Sequence, residues 1–230
     1  MRAFLLVALA LSVAACAGDP PATALPDEAE LDSQQELTDG DATTVGEAPT
    51  PGAMAPAFTL VDTNGEEHTL ADYRGQTVVL EWLNYDCPYV GKHYGGGNMQ
   101  ALQEQAAADG VVWLSVVSSA PGKQGYFEPA AMNARTEQEG GRQAAVLMDP
   151  TGEVGRAYDA QTSPHMFVID ADGRVVYNGA IDDRPTSDLA DLDGATNYVV
   201  PAIAAAREGR AADPATTQPY GCSVKYADEA

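Results

Sequence analysis

The feature that most constrains the fold is an apolar segment followed closely by a Cys-Pro pair. Residues Thr77 to Leu83 are apolar apart from Glu81, which is typical of a strand buried on both faces of a sheet. Cys87 and Pro88 come next, and proline is favoured at the first position of a helix because its missing N–H would be unpaired there anyway. The pattern therefore predicts a central strand, then a cysteine, and a helix that begins at Pro88.

The segments that follow complete a strand–helix–strand unit. Glycines at 95–97 interrupt the helix, so we expect it to restart at Asn98 and to run to about Ala108. Val111 to Val117 is a second buried strand, and two consecutive strands joined by a helix pair in parallel. We therefore expect an α/β fold with a parallel pair in its sheet.

The remaining predicted elements are shorter and do not continue the strand–helix–strand alternation. They are a strand at Phe58–Val61, a helix at Pro129–Glu139, a strand at Ala145–Met148, a helical turn at Glu153–Tyr158, a hairpin of Met166–Asp170 and Arg174–Tyr177, and a last helix at Ala195–Arg207. Asp172-Gly173 is a common dipeptide of hairpin turns. The hairpin follows an insertion that occupies residues 118–164.

The N-terminal residues have the layout of an export signal. Met1 and Arg2 precede an apolar run, Ala3 to Ala15, that ends in small residues before Cys16. The run is too short to span a bilayer as a mature helix. Its end resembles the lipobox of bacterial lipoproteins, which implies cleavage before Cys16 and a lipid on that sulfur. The alternative is an ordinary cleaved signal with an incidental cysteine.

Four segments are expected along the chain. They are a signal peptide at 1–15, a lipidated cysteine with a disordered acidic linker at 16–52, a folded domain at 53–210 and a C-terminal tail at 211–230. The linker has many acids and no Lys or Arg, so it cannot bury enough apolar area to offset its ordering entropy. The lipoprotein resemblance implies a cell-envelope protein that faces the periplasm, and Ala17 favours the outer over the inner membrane.

The net charge of -22 argues against one class of partner. Binding to DNA or RNA needs Lys and Arg to displace counterions from phosphate, so nucleic acid is not an expected partner. The charge is instead suited to keeping a membrane-tethered protein soluble. No nucleotide, flavin, haem or other cofactor is expected. The glycines at 95–97 lack the preceding strand of a phosphate-binding loop, so they are interpreted as a helix break.

The residues around Cys87 resemble the motif of a known family. The matching segments are EWLNYDCPYVGKHY at 81–94, SPH at 163–165 and GCSVKY at 221–226. Over residues 53–210 the order of elements resembles the thioredoxin fold with a peroxiredoxin-like insertion. The motif is similar to peroxiredoxin-like redoxins that have one cysteine where thioredoxins have Cys-x-x-Cys. This resemblance implies a mixed sheet flanked by helices and a thiol-dependent oxidoreductase that acts through Cys87.

Cys87 is the expected nucleophile. At a helix start, unpaired N–H groups and the positive end of the dipole stabilise a thiolate, which is the reactive form of cysteine. Lys92 and His93 lie about one turn further on and would add to this field if they face back along the helix. The alternative is a buried and inert cysteine.

Two further residues are expected to take part in the chemistry. Glu81 is an acid in an apolar strand, so a raised pKa would suit it to proton transfer, the alternative being a structural carboxylate. The resemblance also places Glu81 where thioredoxins carry a buried acid. Val90 stands three residues after Cys87, where thioredoxins have their second cysteine, so no vicinal dithiol can form. Another thiol must therefore resolve the oxidised Cys87. Cys222 is the candidate within the chain, and glutathione or a partner protein is the alternative.

The resemblance also implies a substrate-binding group. It suggests a cis Ser163–Pro164 bond opposite Cys87, with the backbone of Ser163 paired to an extended substrate. Asn84 stands where peroxiredoxins carry a hydroxyl residue and could donate a hydrogen bond, and Pro88 borders the same site. The implied partners are a thiol or disulfide protein or a small-molecule thiol, with peroxide as a further oxidant.

Two other functions stay open at this point. One is copper binding, since copper chaperones share this fold and sulfur with imidazole suits copper. The residues that could approach one another for this purpose are Cys87, His93, His165, Met166 and Cys222. The other is a redox-silent module that binds extended peptides beside Pro164.

Overall fold

The structure is a computed structural model, and it describes residues 48–228. The expected signal peptide at 1–15, the lipidated Cys16 and nearly all of the acidic linker lie outside the described residues, so these expectations stay predictions. Within 48–228, no helix is long and apolar enough to cross a membrane.

The described part of the chain has nine strands and five α-helices. The strands are β1 Thr59–Asp62, β2 Glu67–Thr69, β3 Val78–Trp82, β4 Val112–Val117, β5 Ala145–Met148, β6 Thr162–Ser163, β7 Met166–Ile169, β8 Val175–Gly179 and β9 Cys222–Ser223. The helices are α1 Pro88–Gly95, α2 Asn98–Ala108, α3 Pro129–Glu139, α4 Glu153–Ala157 and α5 Val199–Arg207. Short 3₁₀ turns lie at Leu70–Tyr73 and Leu189–Leu192.

Seven of the strands form one mixed sheet in the order β2-β1-β5-β4-β3-β7-β8. β3 and β4 are parallel, as are β4 and β5, whereas β7 is antiparallel to both β3 and β8. The predicted parallel pair, the hairpin and the mixed α/β sheet are therefore confirmed. β6 and β9 form a separate antiparallel pair that no sequence pattern predicted.

The central strand β3 contributes to two cores, because alternate side chains of a strand point to opposite faces. Val79 packs on the face that carries residues of α1, α2 and α5. Val78, Leu80 and Trp82 pack on the other face. Burial of each such side chain contributes about 1.5–3 kcal/mol, so the strand that leads to Cys87 is firmly held.

Two helix boundaries are determined by local groups. α1 ends at Gly95 and α2 starts at Asn98, as expected, with Gly97 at φ +74, a left-handed conformation that favours glycine. The last helix begins at Val199, four residues later than predicted from its apolar pattern. The reason is a cap: Oδ1 of Asn197 accepts hydrogen bonds from the backbone N–H groups of Val199 and Val200, both at 2.9 Å.

Candidate active site

Cys87 occupies the N-cap of α1, directly after a tight turn that follows β3. Its backbone N–H donates to the carbonyl of Asn84 at 3.0 Å, and the N–H of Asp86 donates to Oδ1 of Asn84 at 2.9 Å. The carbonyl of Cys87 accepts from Gly91 N at 2.9 Å, which is a bond of the first helical turn. Pro88 is the first helical residue, as predicted, and Cys87 lies at the positive end of the α1 dipole.

The thiol of Cys87 has two polar neighbours from distant parts of the chain. Its Sγ donates to the carbonyl oxygen of Ser163 at 3.1 Å and accepts from the backbone N–H of Cys222 at 3.3 Å. The Ser163–Pro164 bond is cis, which confirms that expectation. Only 1% of Cys87 is exposed. The structure therefore brings together Cys87, the prolyl loop and Cys222.

A C-terminal segment, residues 215–228, delivers Cys222 to this place, and we call it the C-terminal strap. Within it β9 pairs antiparallel with β6, so that Cys222 lies opposite Ser163 and Ser223 opposite Thr162. Gly221 has φ +142, and a Cβ at that position would lie 2.1 Å from the carbonyl oxygen of Ser163. The strap thus approaches the prolyl loop at backbone contact, which requires glycine.

Cys222 is a free thiol in contact with a second free thiol, Cys87. Burial, and then the hydrogen bond and charge of Cys87, raise the pKa of Cys222, and Lys225 opposes this increase. The contact with Cys87 therefore favours the protonated thiol at Cys222.

Glu81 is fully buried, on the same face of the sheet as the core that contains Cys87. Its carboxylate accepts hydrogen bonds from four side chains: Trp113 Nε1 at 2.9 Å, Ser115 Oγ at 2.9 Å, Tyr94 OH at 3.2 Å and Gln103 Nε2 at 3.3 Å. Burial raises the pKa of Glu81 to about 6, although these bonds pull it back. None of the four donors is a cysteine, so the structure gives Glu81 no direct bond to Cys87.

A pH dependence of stability follows from the carboxyl of Glu81. Its pKa rises from 4.5 to about 6 on folding, so the folded protein holds a proton that the unfolded chain releases between these values. The stability that this proton contributes is complete below pH 4.5 and is lost as the pH rises through 6. Relative to Glu81→Gln, the wild-type free energy of unfolding should fall by about 2 kcal/mol between pH 4 and pH 7.

Urea unfolding at several pH values measures this difference. The exposed Glu67→Gln serves as the control, and its stability should run parallel to that of the wild type at every pH. Parallel curves for Glu81→Gln as well would show that the buried carboxyl does not titrate in this range.

Asn84 and Pro88 lie on either side of Cys87 in different surroundings. Asn84 is buried, and among the described residues its amide nitrogen has no hydrogen-bond partner. Gly125 packs against this amide, since a Cβ there would lie 2.4 Å from Cγ of Asn84. Pro88 is exposed. Asn84 therefore offers an unused donor in the turn that precedes Cys87, and Pro88 borders the outside of the site.

A buried charged cluster beside α1 was missed by sequence reasoning. Lys92 Nζ lies 3.6 Å from Oδ2 of Asp182 and donates to the hydroxyl of Tyr220 at 3.1 Å. Nε2 of His93 lies 3.1 Å from the same hydroxyl, which donates to Oδ1 of Asp182. The two cationic candidates on α1 are thus bound to Asp182 and Tyr220. Burial lowers the pKa of Lys92, and Asp182 opposes that effect.

Arg135 on α3 reaches the turn that precedes Cys87. Its guanidinium lies 3.1 Å from Oδ1 of Asp86 and donates to the carbonyl of Tyr85, also at 3.1 Å. A second ion pair, to Glu139 at 2.8 Å, orients the side chain along α3. The insertion therefore supports the turn that carries Asn84.

The histidines of the copper alternative are occupied by other partners. Nδ1 of His93 accepts from Asn98 at 2.8 Å, and Nε2 faces Tyr220. His165 lies 2.7 Å from Oδ1 of Asn178 through Nε2 and accepts from Gln161 N through Nδ1. Within residues 48–228, no three His, Cys, Asp or Glu side chains are grouped as metal ligands. Both imidazoles are engaged in hydrogen bonds to residues other than the two cysteines.

A family model and several individual proteins match this sequence. The family model called Redoxin matches residues 50–196. The thiol-disulfide oxidoreductase ResA of Geobacillus kaustophilus is 29% identical over 131 residues, which cover 54% of this chain and 66% of ResA, just under two thirds. A Mycobacterium tuberculosis protein assigned as a peroxiredoxin is 31% identical over 141 residues, covering 55% of this chain and 82% of that protein.

Solved structures show the same fold. An uncharacterized conserved protein from Geobacillus kaustophilus superposes with a TM-score of 0.66 at 25% identity, covering 81% of this chain and 96% of that one. A hypothetical protein from Sinorhizobium meliloti gives a TM-score of 0.64 at 24% identity, covering 80% and 98%. Together with the Redoxin match, these superpositions show that the sheet and helices of this chain form a thioredoxin-like fold.

Proposed function

This chain belongs to the Redoxin family, whose functions depend on thiol redox chemistry, and from that premise we propose that Cys87 is its nucleophile and Cys222 its resolving thiol. The observation that carries the proposal is the contact between the two cysteines. The backbone N–H of Cys222 lies 3.3 Å from Sγ of Cys87, and both thiols are free. Two thiols already in contact can form a disulfide without a large movement of the fold.

With a peroxide as oxidant, the proposed cycle needs both cysteines. The Cys87 thiolate attacks one oxygen, the O–O bond breaks, and Cys87 becomes a sulfenic acid as water leaves after proton uptake. The Cys222 thiol then attacks that sulfur, which forms the S–S bond and releases a second water. A dithiol reductant returns both cysteines to thiols and is itself oxidised to a disulfide.

With a disulfide as oxidant, the same pair acts by exchange. The Cys87 thiolate forms a mixed disulfide with one substrate sulfur, and the other leaves as a thiolate. Cys222 then attacks the sulfur of Cys87 and releases the remaining substrate thiol. The substrate is reduced by two electrons while the Cys87–Cys222 bridge forms. A partner dithiol protein or a small-molecule thiol closes the cycle.

The residues around the cysteines have proposed roles that follow from their positions. The free amide of Asn84 donates to the oxidant, and the Ser163–Pro164 backbone frames it, with Pro88 at the border of the site. Glu81 handles the proton, supported by its pKa of about 6 and by its bond to Tyr94 on α1. Proton exchange with the cysteines would have to pass through a mediating group.

We propose a location in the cell envelope on the basis of the N-terminal sequence. The apolar run Ala3 to Ala15 before Cys16 supports export and a lipid on that cysteine. The protein would then be held at a membrane by its lipid and face the periplasm, with the outer membrane favoured by Ala17.

Intact-mass analysis after treatment with hydrogen peroxide tests the cycle. Every sample carries Cys16→Ala, so that Cys87 and Cys222 are the remaining cysteines. The otherwise wild-type chain should lose two hydrogen atoms, because an internal bridge forms. Cys222→Ser should instead gain oxygen, since no thiol resolves the sulfenic acid.

Cys87→Ser is the control for the mass measurement. Cys87→Ser should keep its mass, which assigns the first attack to Cys87. Equal gains of oxygen with and without Cys222 would remove Cys222 from the cycle. No change in the wild-type mass with either peroxide or oxidised glutathione would refute the proposed function.

A further inference from the structure

The C-terminal strap is bound to the folded domain along its whole length. At its start, the backbone of Asn178 on β8 donates to the carbonyl of Ala215 and accepts from the N–H of Thr217, both at 3.1 Å. At its end, Arg156 on α4 donates to the carbonyl of Ala227 at 3.1 Å, and Tyr226 donates to the carbonyl of Ala160 at 2.8 Å. The strap therefore crosses the site of Cys87 between two attached ends.

Where it crosses, the strap delivers a cysteine in extended conformation to Cys87. The antiparallel pairing of Cys222 with Ser163 uses the backbone of β6, and the carbonyl of Ser163 is itself 3.1 Å from Sγ of Cys87. Any other extended segment that brings a sulfur to Cys87 along β6 would need this same backbone edge. The strap already occupies that position.

Because the strap covers the edge of β6, large and small oxidants differ in their access to Sγ of Cys87. Cys87 is 1% exposed and Ser163 is 3% exposed, because the strap lies over both. A hydroperoxide or a small disulfide needs only a local opening to reach Sγ. A disulfide carried by a folded protein needs the room that residues 221–223 fill.

Tyr220 anchors the strap next to Cys222. Its hydroxyl is bonded to Lys92, His93 and Asp182, all three of them buried in the folded domain. Its ring packs against the ring of Tyr89 on α1 with centroids 5.9 Å apart. Withdrawal of Tyr220 would leave a buried ion pair with one partner fewer, which is unfavourable.

We propose that Tyr220 is a positioning residue that determines which oxidant reaches Cys87. It holds the C-terminal strap in the place of an extended cysteine-bearing substrate, so that the closed protein reacts with small oxidants and excludes disulfides of folded proteins. Release of the strap exposes β6 to such a protein. The inference rests on the proposed function, because it assumes that Cys87 is the reacting thiol.

The test compares two reactions that Tyr220→Phe should change in opposite directions. The variant keeps the ring contact with Tyr89 and loses the hydroxyl bonds to the buried pair. In a Cys222→Ser background, capture of an insulin disulfide by Cys87 should become about tenfold faster, the factor that corresponds to one lost hydrogen bond to a charged group. With Cys222 present, bridge formation after one equivalent of hydrogen peroxide should become about tenfold slower.

Two further variants keep the test decisive. Gly221→Val places a side chain against the carbonyl of Ser163 and should release the strap by a different route, with the same pair of changes. Tyr73→Phe is the matched control, since the hydroxyl of Tyr73 is hydrogen-bonded to His68 on β2, the edge strand on the opposite side of the sheet from β8 and the start of the strap. Both rates should be unchanged in it.

The outcomes separate this inference from the proposed function. Slower reaction of the Tyr220→Phe and Gly221→Val variants with both oxidants would indicate general damage and overturn the role of Tyr220. Unchanged insulin capture in both variants, together with a normal peroxide reaction, would also overturn the role of Tyr220. That result would leave the proposed chemistry of Cys87 unaffected. If the wild-type chain reacts with neither oxidant, the proposed function fails and the inference fails with it.

Discussion

Replacing Cys87 by serine is expected to lower both peroxide reduction and disulfide exchange by about a thousandfold or more. A serine hydroxyl is not ionised at neutral pH, so the attacking group is lost although its size is nearly kept. The fold should survive, because the hydroxyl can donate to the carbonyl of Ser163 and accept from the N–H of Cys222 in the same way. Consumption of peroxide and of oxidised glutathione with a dithiol reductant measures the loss.

Cys222→Ser is the matched control for this substitution. It should keep the first attack, measured in a single turnover, and lose the internal bridge. Urea unfolding should place Cys87→Ser within about 1 kcal/mol of the wild type, which separates loss of chemistry from loss of folding. Retained turnover in Cys87→Ser would exclude Cys87 as the nucleophile. If turnover were in addition abolished in Cys222→Ser, Cys222 would be the nucleophile and Cys87 the resolving thiol.

The largest effect on stability is expected at Lys92. Lys92→Met leaves the carboxylate of Asp182 buried without its cationic partner, and breaking one side of a buried ion pair costs about 3 kcal/mol. Methionine fills much of the same volume, so the loss is mainly electrostatic. Urea unfolding at pH 7 measures the free energy directly.

A second variant distinguishes the lost charge from lost packing. Adding Asp182→Asn removes the orphaned charge, so the double variant should recover more than half of the stability lost in Lys92→Met. Lys123→Met is the surface control, because Lys123 pairs with Asp228 in solvent and should cost less than about 1 kcal/mol. A loss in Lys92→Met no larger than in this control would show that the buried pair contributes little.

The parts of the fold that were predictable are those with a local signal. The run from Thr77 to Leu83 carries the apolar pattern of a central strand, and Pro88 carries a helix-start preference, so β3 and α1 could be placed from the sequence. The break at Gly97 is equally local. Where a cap rather than the apolar pattern decided the boundary, as at Asn197, the predicted helix start was wrong.

The parts that were not predictable depend on contacts between residues far apart in the chain. β6 and β9 have two residues each, too few for any periodicity, and their pairing exists because the strap folds back onto the prolyl loop. A lysine on an amphipathic helix is usually exposed, so Lys92 gave no sign of burial without its partner Asp182. The roles of Cys87, Cys222, Glu81, Asn84 and the prolyl loop in catalysis stay predictions for the experiments above.

Attachment of the strap on both sides of Cys222 also bears on how the oxidised protein is reduced. Tyr220 and Tyr226 hold the flanking chain, so a thiol freed at Cys222 stays at a high effective concentration beside Cys87. In the proposed cycle, a monothiol that opens the Cys87–Cys222 bridge forms a mixed disulfide, which we expect the neighbouring thiol to reverse before a second monothiol arrives. A dithiol carries its second sulfur with it and escapes this reversal, so we expect the proposed bridge to be reduced faster by dithiols than by glutathione.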